Sequence, residues 1–112
     1  MKVFKNTHNF LNFTRRNNNN EPITTTPREI YFSVKENYDD DKYLIQKTMT
    51  NGDIISNGNG EWQIRLLPSD TANLPFGKYY CDVKVIDEFG LNFIVVAPQV
   101  FEILDTVTLV GG

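Results

Sequence analysis

Leu74-Pro75-Phe76-Gly77-Lys78-Tyr79-Tyr80-Cys81-Asp82-Val83-Lys84-Val85 is the stretch from which the fold can be read. Tyr79, Cys81, Val83 and Val85 alternate with Tyr80, Asp82 and Lys84. A period of two places one set on a buried sheet face and the other in water. The same period recurs upstream, where Ile30, Phe32 and Val34 alternate with Tyr31, Ser33 and Lys35, and where Trp62, Ile64 and Leu66 alternate with Gln63 and Arg65. Less regular runs at Phe10–Arg15, Tyr43–Met49 (of unfixed register), Leu91–Ala97 and Val100–Leu104 bring the expected number of strands to about seven. The intervening segments hold turn residues, among them Asn17-Asn18-Asn19-Asn20, Asn51-Gly52, Asn57-Gly58-Asn59-Gly60, Glu88-Phe89-Gly90 and Ala97-Pro98. Asn and Gly accept the positive φ angles that tight hairpins demand. The one helix candidate, Pro68–Leu74, is closed after a turn or two by Pro75. Short strands at intervals of about 8–12 residues without helices between them predict two packed antiparallel sheets.

The chain has 112 residues, of which 40% are hydrophobic, 12% aromatic and 22% charged. That is the composition of one globular domain and excludes disordered and fibrous classes. A single domain over 1–112 is expected, with its core in about 9–104, an N-terminal segment at 1–8 and a C-terminal tail at 105–112. The net charge of −3 disfavours nucleic acid as a partner, since affinity for a phosphate backbone needs basic excess. No apolar run is long enough to span a bilayer and the first residues lack the apolar centre of a signal peptide, so no membrane partner is expected and synthesis is assigned to the cytoplasm. Cys81 is the only cysteine, so the core is expected to hold without a disulfide. Charge is unevenly divided: residues 1–28 carry five basic groups against one acidic, a net of +4, and residues 29–112 carry six against thirteen, a net of −7. A basic front on an acidic body suits contact with another copy, while charges this scattered also suit solvated strand faces.

Tyr79 stands at the start of its strand, two residues before Cys81. The placement resembles the tyrosine corner of immunoglobulin-like domains, in which the phenol bonds back to the upstream chain. The resemblance implies an immunoglobulin-like antiparallel β-sandwich, with the Tyr79 hydroxyl bonded within Leu67–Leu74. The strand-B cysteine of antibody domains has no counterpart, because Phe32 and Val34 occupy that strand, and Trp62 falls later than the antibody tryptophan. Ile30–Lys35, Leu44–Lys47, Gly60–Leu66, Pro68–Tyr79 and Asp82–Asp87 together resemble a small β-sandwich domain of tailed-phage virion proteins, similar to the N-terminal domain of phage upper baseplate proteins. The run of strand, Asp70-Thr71-Ala72 corner, Leu74-Pro75-Phe76-Gly77-Lys78-Tyr79 and strand is its distinctive part. The resemblance covers roughly residues 9–104, implies a structural or attachment role in the virion, and supplies no catalytic residues. Family members carry the domain at the front of a longer fibre or baseplate protein, whereas this sequence runs to Gly112, so no host-binding module is expected to follow.

Candidate chemistry reads as structure at each position. His8 is the only histidine and falls in the N-terminal segment, where a surface side chain is expected. Asp39-Asp40-Asp41 lacks the alternate acidic positions, central glycine and later glutamate of a calcium loop, and reads as a solvated turn. Asp87-Glu88 sits beside Gly90 at a turn tip, and Gly58-Asn59-Gly60 reads as a hairpin without the lysine or following helix of a phosphate loop. Cys81 is expected to be a buried free thiol on the same side as Trp62, Ile64 and Val83. Tyr31, Tyr38, Tyr43 and Tyr80 form either scattered surface aromatics or a platform for sugars or bases.

No catalytic, cofactor-binding or metal-binding residue is assigned, and the chain is read as a non-enzymatic protein of the phage virion. Head, neck, tail and baseplate are all open, and its expected partners are other virion proteins and its own copies. The alternative is a module binding a host-surface glycan through loops at one end of the sandwich. Phe4, Phe10 and Phe13 of the basic segment and Val107 and Leu109 of the alternating tail are the candidate partner contacts. Tail residues docked on a sheet edge would satisfy its unpaired backbone groups, and a last strand simply extended within its own domain would use them equally well.

Overall fold

In the computed structural model, which describes residues 1–106, eight strands build two sheets. They are β1 (Lys2–Phe4), β2 (Asn9–Thr14), β3 (Glu29–Lys35), β4 (Ile45–Thr48), β5 (Ile54–Gly58), β6 (Glu61–Leu66), β7 (Gly77–Ile86) and β8 (Asn92–Leu104). Among the described residues the single helix, α1, is the four-residue corner Pro68–Thr71. A five-stranded sheet runs β1-β8-β7-β3-β4 and a three-stranded sheet runs β2-β6-β5. The all-β, two-sheet expectation holds, and Cys81 is free.

Strict alternation accounts for the core. Ile30, Phe32 and Val34 of β3, Trp62, Ile64 and Leu66 of β6, and Tyr79, Cys81, Val83 and Val85 of β7 are all buried in one cluster. Cys81, Trp62, Ile64 and Val83 therefore share the interior, as their registers predict. Phe32 and Phe101 meet at its centre with ring centroids 6.1 Å apart and planes tilted by 59°, the offset geometry that aromatic quadrupoles favour.

The strand count differs from seven for three reasons. Leu91–Ala97 and Val100–Leu104 are one strand, because Ala97-Pro98 is not a turn but part of a register shift against β7, between the Cys81–Gln99 and Val83–Val96 pairs. Bulges accommodate a proline that a regular ladder would reject. Ile54–Gly58, only five residues long, forms a hairpin with β6 across Gly58-Asn59-Gly60, all three at positive φ. A side chain at Gly60 would meet the Arg15 carbonyl at 2.8 Å. Finally, the N-terminal segment is not peripheral: Val3 is fully buried, and β1 lies against the end of β8. That pairing is parallel, Lys2 to Glu102 and Phe4 to Leu104, so the large sheet is not wholly antiparallel.

The α1 corner ties the layers together. Asp70 Oδ2 accepts from the Leu67 backbone N–H at 2.6 Å and lies 2.7 Å from Lys47 Nζ, whose side chain points inward from β4. Thr71 is fully buried, and its Oγ1 accepts the Asn6 backbone N–H at 3.0 Å.

Downstream, the Tyr79 hydroxyl donates to the Pro75 carbonyl at 2.6 Å, one residue beyond the Leu67–Leu74 segment expected to hold its acceptor. The acceptor lies between the bends at Leu74 and Phe76 that lead the chain into β7. Burial raises the Tyr79 phenol above its ordinary value and the Glu36 charge adds to the effect, so the hydroxyl remains a donor. Tyr79→Phe is expected to cost about 1–2 kcal/mol by leaving the Pro75 carbonyl unpaired, read as a lowered denaturation midpoint with an unchanged slope.

Burial pushes the Cys81 thiol up to about 11, against a lowering by the N-terminal ammonium and with a smaller upward push from Asp82. Its Sγ lies 4.0 Å from Met1 Sδ, beneath the N-terminal residue. Only the thiolate reacts, so disulfide-exchange labelling of the native protein at pH 8 is expected to be at least roughly 100-fold slower than in denaturant. Equal rates would place Cys81 at the surface. Because the folded thiol holds its proton where the unfolded thiol releases it, this group makes stability fall as pH rises from about 9 to about 11.

Candidate functional site

Two surfaces stand out from the well-packed body. The first is the leading half of β8. From Phe89 to Phe101 the sequence holds thirteen residues without a charge. Phe101 and Ile103 are buried, but Phe89, Leu91, Phe93, Ile94, Val95 and Val100 are exposed, Phe89 to 77%. Topology explains the difference. β1 covers β8 only at Glu102–Leu104, so among the described residues the strand from Asn92 to Gln99 has β7 on one side and no paired strand on the other. The three-stranded sheet is also too narrow to roof all five strands beneath it. Phe93 pairs with the fully buried Val85 yet remains 49% exposed.

A concavity of about 610 Å³ results, bounded by Phe93, Ile94 and Val95 on one side and by Arg15, Arg16, Asn17, Asn18 and Ile23 of the β2–β3 connection on the other, with Asp87 and Glu88 at its rim. Arg15 is buried, its guanidinium donating to the Thr25 carbonyl at 3.0 Å, and Arg16 donates to the Asn20 carbonyl at 3.1 Å. Both arginines thus hold their own connection in shape. Asp87 accepts the Phe89 and Leu91 backbone N–H groups at 2.9 and 2.8 Å, closing the β7–β8 turn as a structural carboxylate.

The second surface is the outer face of the five-stranded sheet. Tyr31, Ser33 and Lys35 of β3 lie beside Lys84, Asp82 and Tyr80 of β7. Tyr38 and Tyr43 of the β3–β4 connection rise over them to form a concavity of about 340 Å³. Tyr38 stacks on Tyr80 with centroids 4.2 Å apart, and Lys35 Nζ stands 5.2 Å from the centre of the Tyr43 ring. Burial raises the Asp82 carboxyl, while Lys35 and Lys84 draw it down.

The residues singled out by sequence are dispersed. Phe4 is exposed on β1, and Phe10 is exposed on β2, where Arg65 stands 5.6 Å from its ring centre and His8 lies alongside. Phe13 is turned inward with Leu11 and packs on its own core. Val107 and Leu109 lie outside the described residues. Tyr79, Cys81 and Trp62 are core residues. Among the described residues, no three His, Cys, Asp or Glu side chains converge in a metal-binding arrangement, and the Asp39–Asp41 segment is a turn in which Asp40 accepts the Asn37 backbone N–H at 3.0 Å. The apolar strip on β8 was missed as a contact surface, although its uncharged run was the available signal. Compared with known proteins, the chain matches no family model, no curated sequence and no solved structure.

Proposed function

We propose that this chain is a non-enzymatic structural protein of a tailed-phage particle, an immunoglobulin-like β-sandwich of head, neck, tail or baseplate that works by protein–protein contacts with other virion proteins and its own copies. The observation that carries this reading is the leading half of β8. Exposed strand edges are ordinarily blunted by charge, shortness or a covering element. The other edge strands here conform: β4 turns Lys47 inward, β5 is short with a bulge, β1 is three residues long, and β2 continues directly into Arg15 and Arg16. Among the described residues the Asn92–Ala97 stretch is bulged against β7 but bears no charge and has no covering strand, and a partner strand laid along it satisfies its backbone while covering Phe93, Ile94 and Val95. The resemblance of the Asp70–Tyr79 corner to phage sandwich domains supports placing that partner in a virion. Purified particles from the phage encoding this sequence are expected to contain the chain in fixed ratio to other structural proteins by quantitative mass spectrometry. Its presence in infected-cell lysate alone would overturn the virion assignment. A second reading, attachment to a host glycan, is favoured by the tyrosine-lined concavity.

A further inference from the structure

We infer that the concavity on the outer face of the five-stranded sheet is a carbohydrate-binding site, taking one or two pyranose rings of an oligosaccharide between Tyr38 and Tyr43 above and the Ser33, Asp82 and Lys84 floor below. Three features of the face lead there. Its volume of about 340 Å³ falls at the small end of ligand sites, which run from about 300 to 1,000 Å³. Its lining mixes aromatic and hydrogen-bonding groups at adjacent positions, since β-sheet pairing sets Tyr31 against Lys84, Ser33 against Asp82, and Lys35 against Tyr80. A pyranose is amphiphilic in the matching way. Its C–H face carries partial positive charge that suits the negative face of a tyrosine ring, and its hydroxyl rim both donates and accepts. The floor supplies an acceptor in Asp82, donors in Lys35 and Lys84, and a group of both kinds in Ser33, which already receives the Gln46 amide at 3.3 Å.

The charges also discriminate among ligand classes. Lys35 and Lys84 against a single Asp82 leave only a small local positive excess, and on a chain of net charge −3 that falls short of the extended basic surface a phosphate backbone needs. A peptide anchor would require an apolar floor, whereas here Ile86 and Pro98 share the lining with Ser33, Gln46, Asp82 and the two lysines. Both Tyr38 and Tyr43 belong to the exposed β3–β4 connection and lie outside the buried core cluster. They can be removed without disturbing the core. The inference rests on the glycan-attachment reading and not on the β8 contact, which adjoins this face where Ile94 pairs with Lys84 and Pro98 joins the lining.

The test is a titration of the isotopically labelled full chain with four probes, maltotriose, cellotriose, chitotriose and trigalacturonate, followed by amide chemical shifts. At least one probe is expected to produce saturable shifts in residues 31–35, 46 and 80–84, with half-saturation in roughly the 0.1–10 mM range of a shallow site. The double substitution Tyr38→Ala with Tyr43→Ala is expected to weaken that probe at least 10-fold and to leave the amide spectrum of β2 and β6 unchanged. Absence of saturable shifts with all four probes overturns the inference. So does undiminished binding by the double variant, or movement of the same amides on raising protein concentration without sugar, which would mark the face as a contact between copies.

Discussion

Asp70→Asn is expected to lower the unfolding free energy by about 3–5 kcal/mol, a large share of the 5–15 kcal/mol that holds a typical domain together. The reason is the partner left behind. Lys47 points into the sandwich from β4, next to Phe32 in the β3 register, and its side chain is only 9% exposed. Its ammonium meets Asp70 at 2.7 Å. Asparagine can still accept the Leu67 backbone N–H, so the corner keeps its cap while the buried cation loses its counter-charge. Lys47→Met added to Asp70→Asn is expected to recover most of the loss, because removing a buried pair together costs far less than removing one member. Chemical denaturation of the two single variants and the double variant measures the coupling. Equal losses in Asp70→Asn and in the double variant would show that the loss does not come from an unpaired Lys47.

Ile94→Lys is expected to abolish assembly while changing stability by no more than about 0.5 kcal/mol. Ile94 is 53% exposed on the unpartnered part of β8, so the lysine meets water in the isolated chain. In a strand-paired complex the same ammonium is forced against an apolar neighbour, with a desolvation cost that paired strands with uncharged faces do not bear. Leu67→Lys is the matched control, since Leu67 is 45% exposed but stands at the start of the α1 corner and belongs to none of the candidate contacts. Particles assembled with each variant are expected to incorporate Leu67→Lys at normal levels and to exclude Ile94→Lys. Normal incorporation of both would remove β8 from the contact.

Much of the architecture was legible in the alternation alone. The interior registers of β3, β6 and β7 follow directly from Ile30, Trp62 and Tyr79, because a shift of one residue would turn every apolar side chain outward. What escaped had physical causes. Pro98 looks like a terminator because a regular ladder has no place for it, and only the pairing with β7 shows the register shift that admits it. β1 has three residues, too few to display a period, and its burial depends on a parallel partner about a hundred positions away. The Lys47–Asp70 pair joins an edge strand to a corner, and Lys47 reads as a solvent-facing residue until the register of β4 is known. The β8 surface is the sharper case. Phe93, Ile94 and Val95 look like core from composition, and only the narrow second sheet and the short β1 expose them. The tyrosines were visible as residues, but their convergence depends on the β3–β7 pairing and the fold of the β3–β4 connection.

Amide hydrogen exchange across Asn92–Ala97, compared between the isolated chain and the chain in purified particles, tests the proposed assembly role most directly. Those amides that do not already bond to β7 are expected to exchange at least roughly 10-fold more slowly in the particle, while amides of the β5 edge keep their rates. Identical exchange of Asn92–Ala97 in the two states would contradict the account.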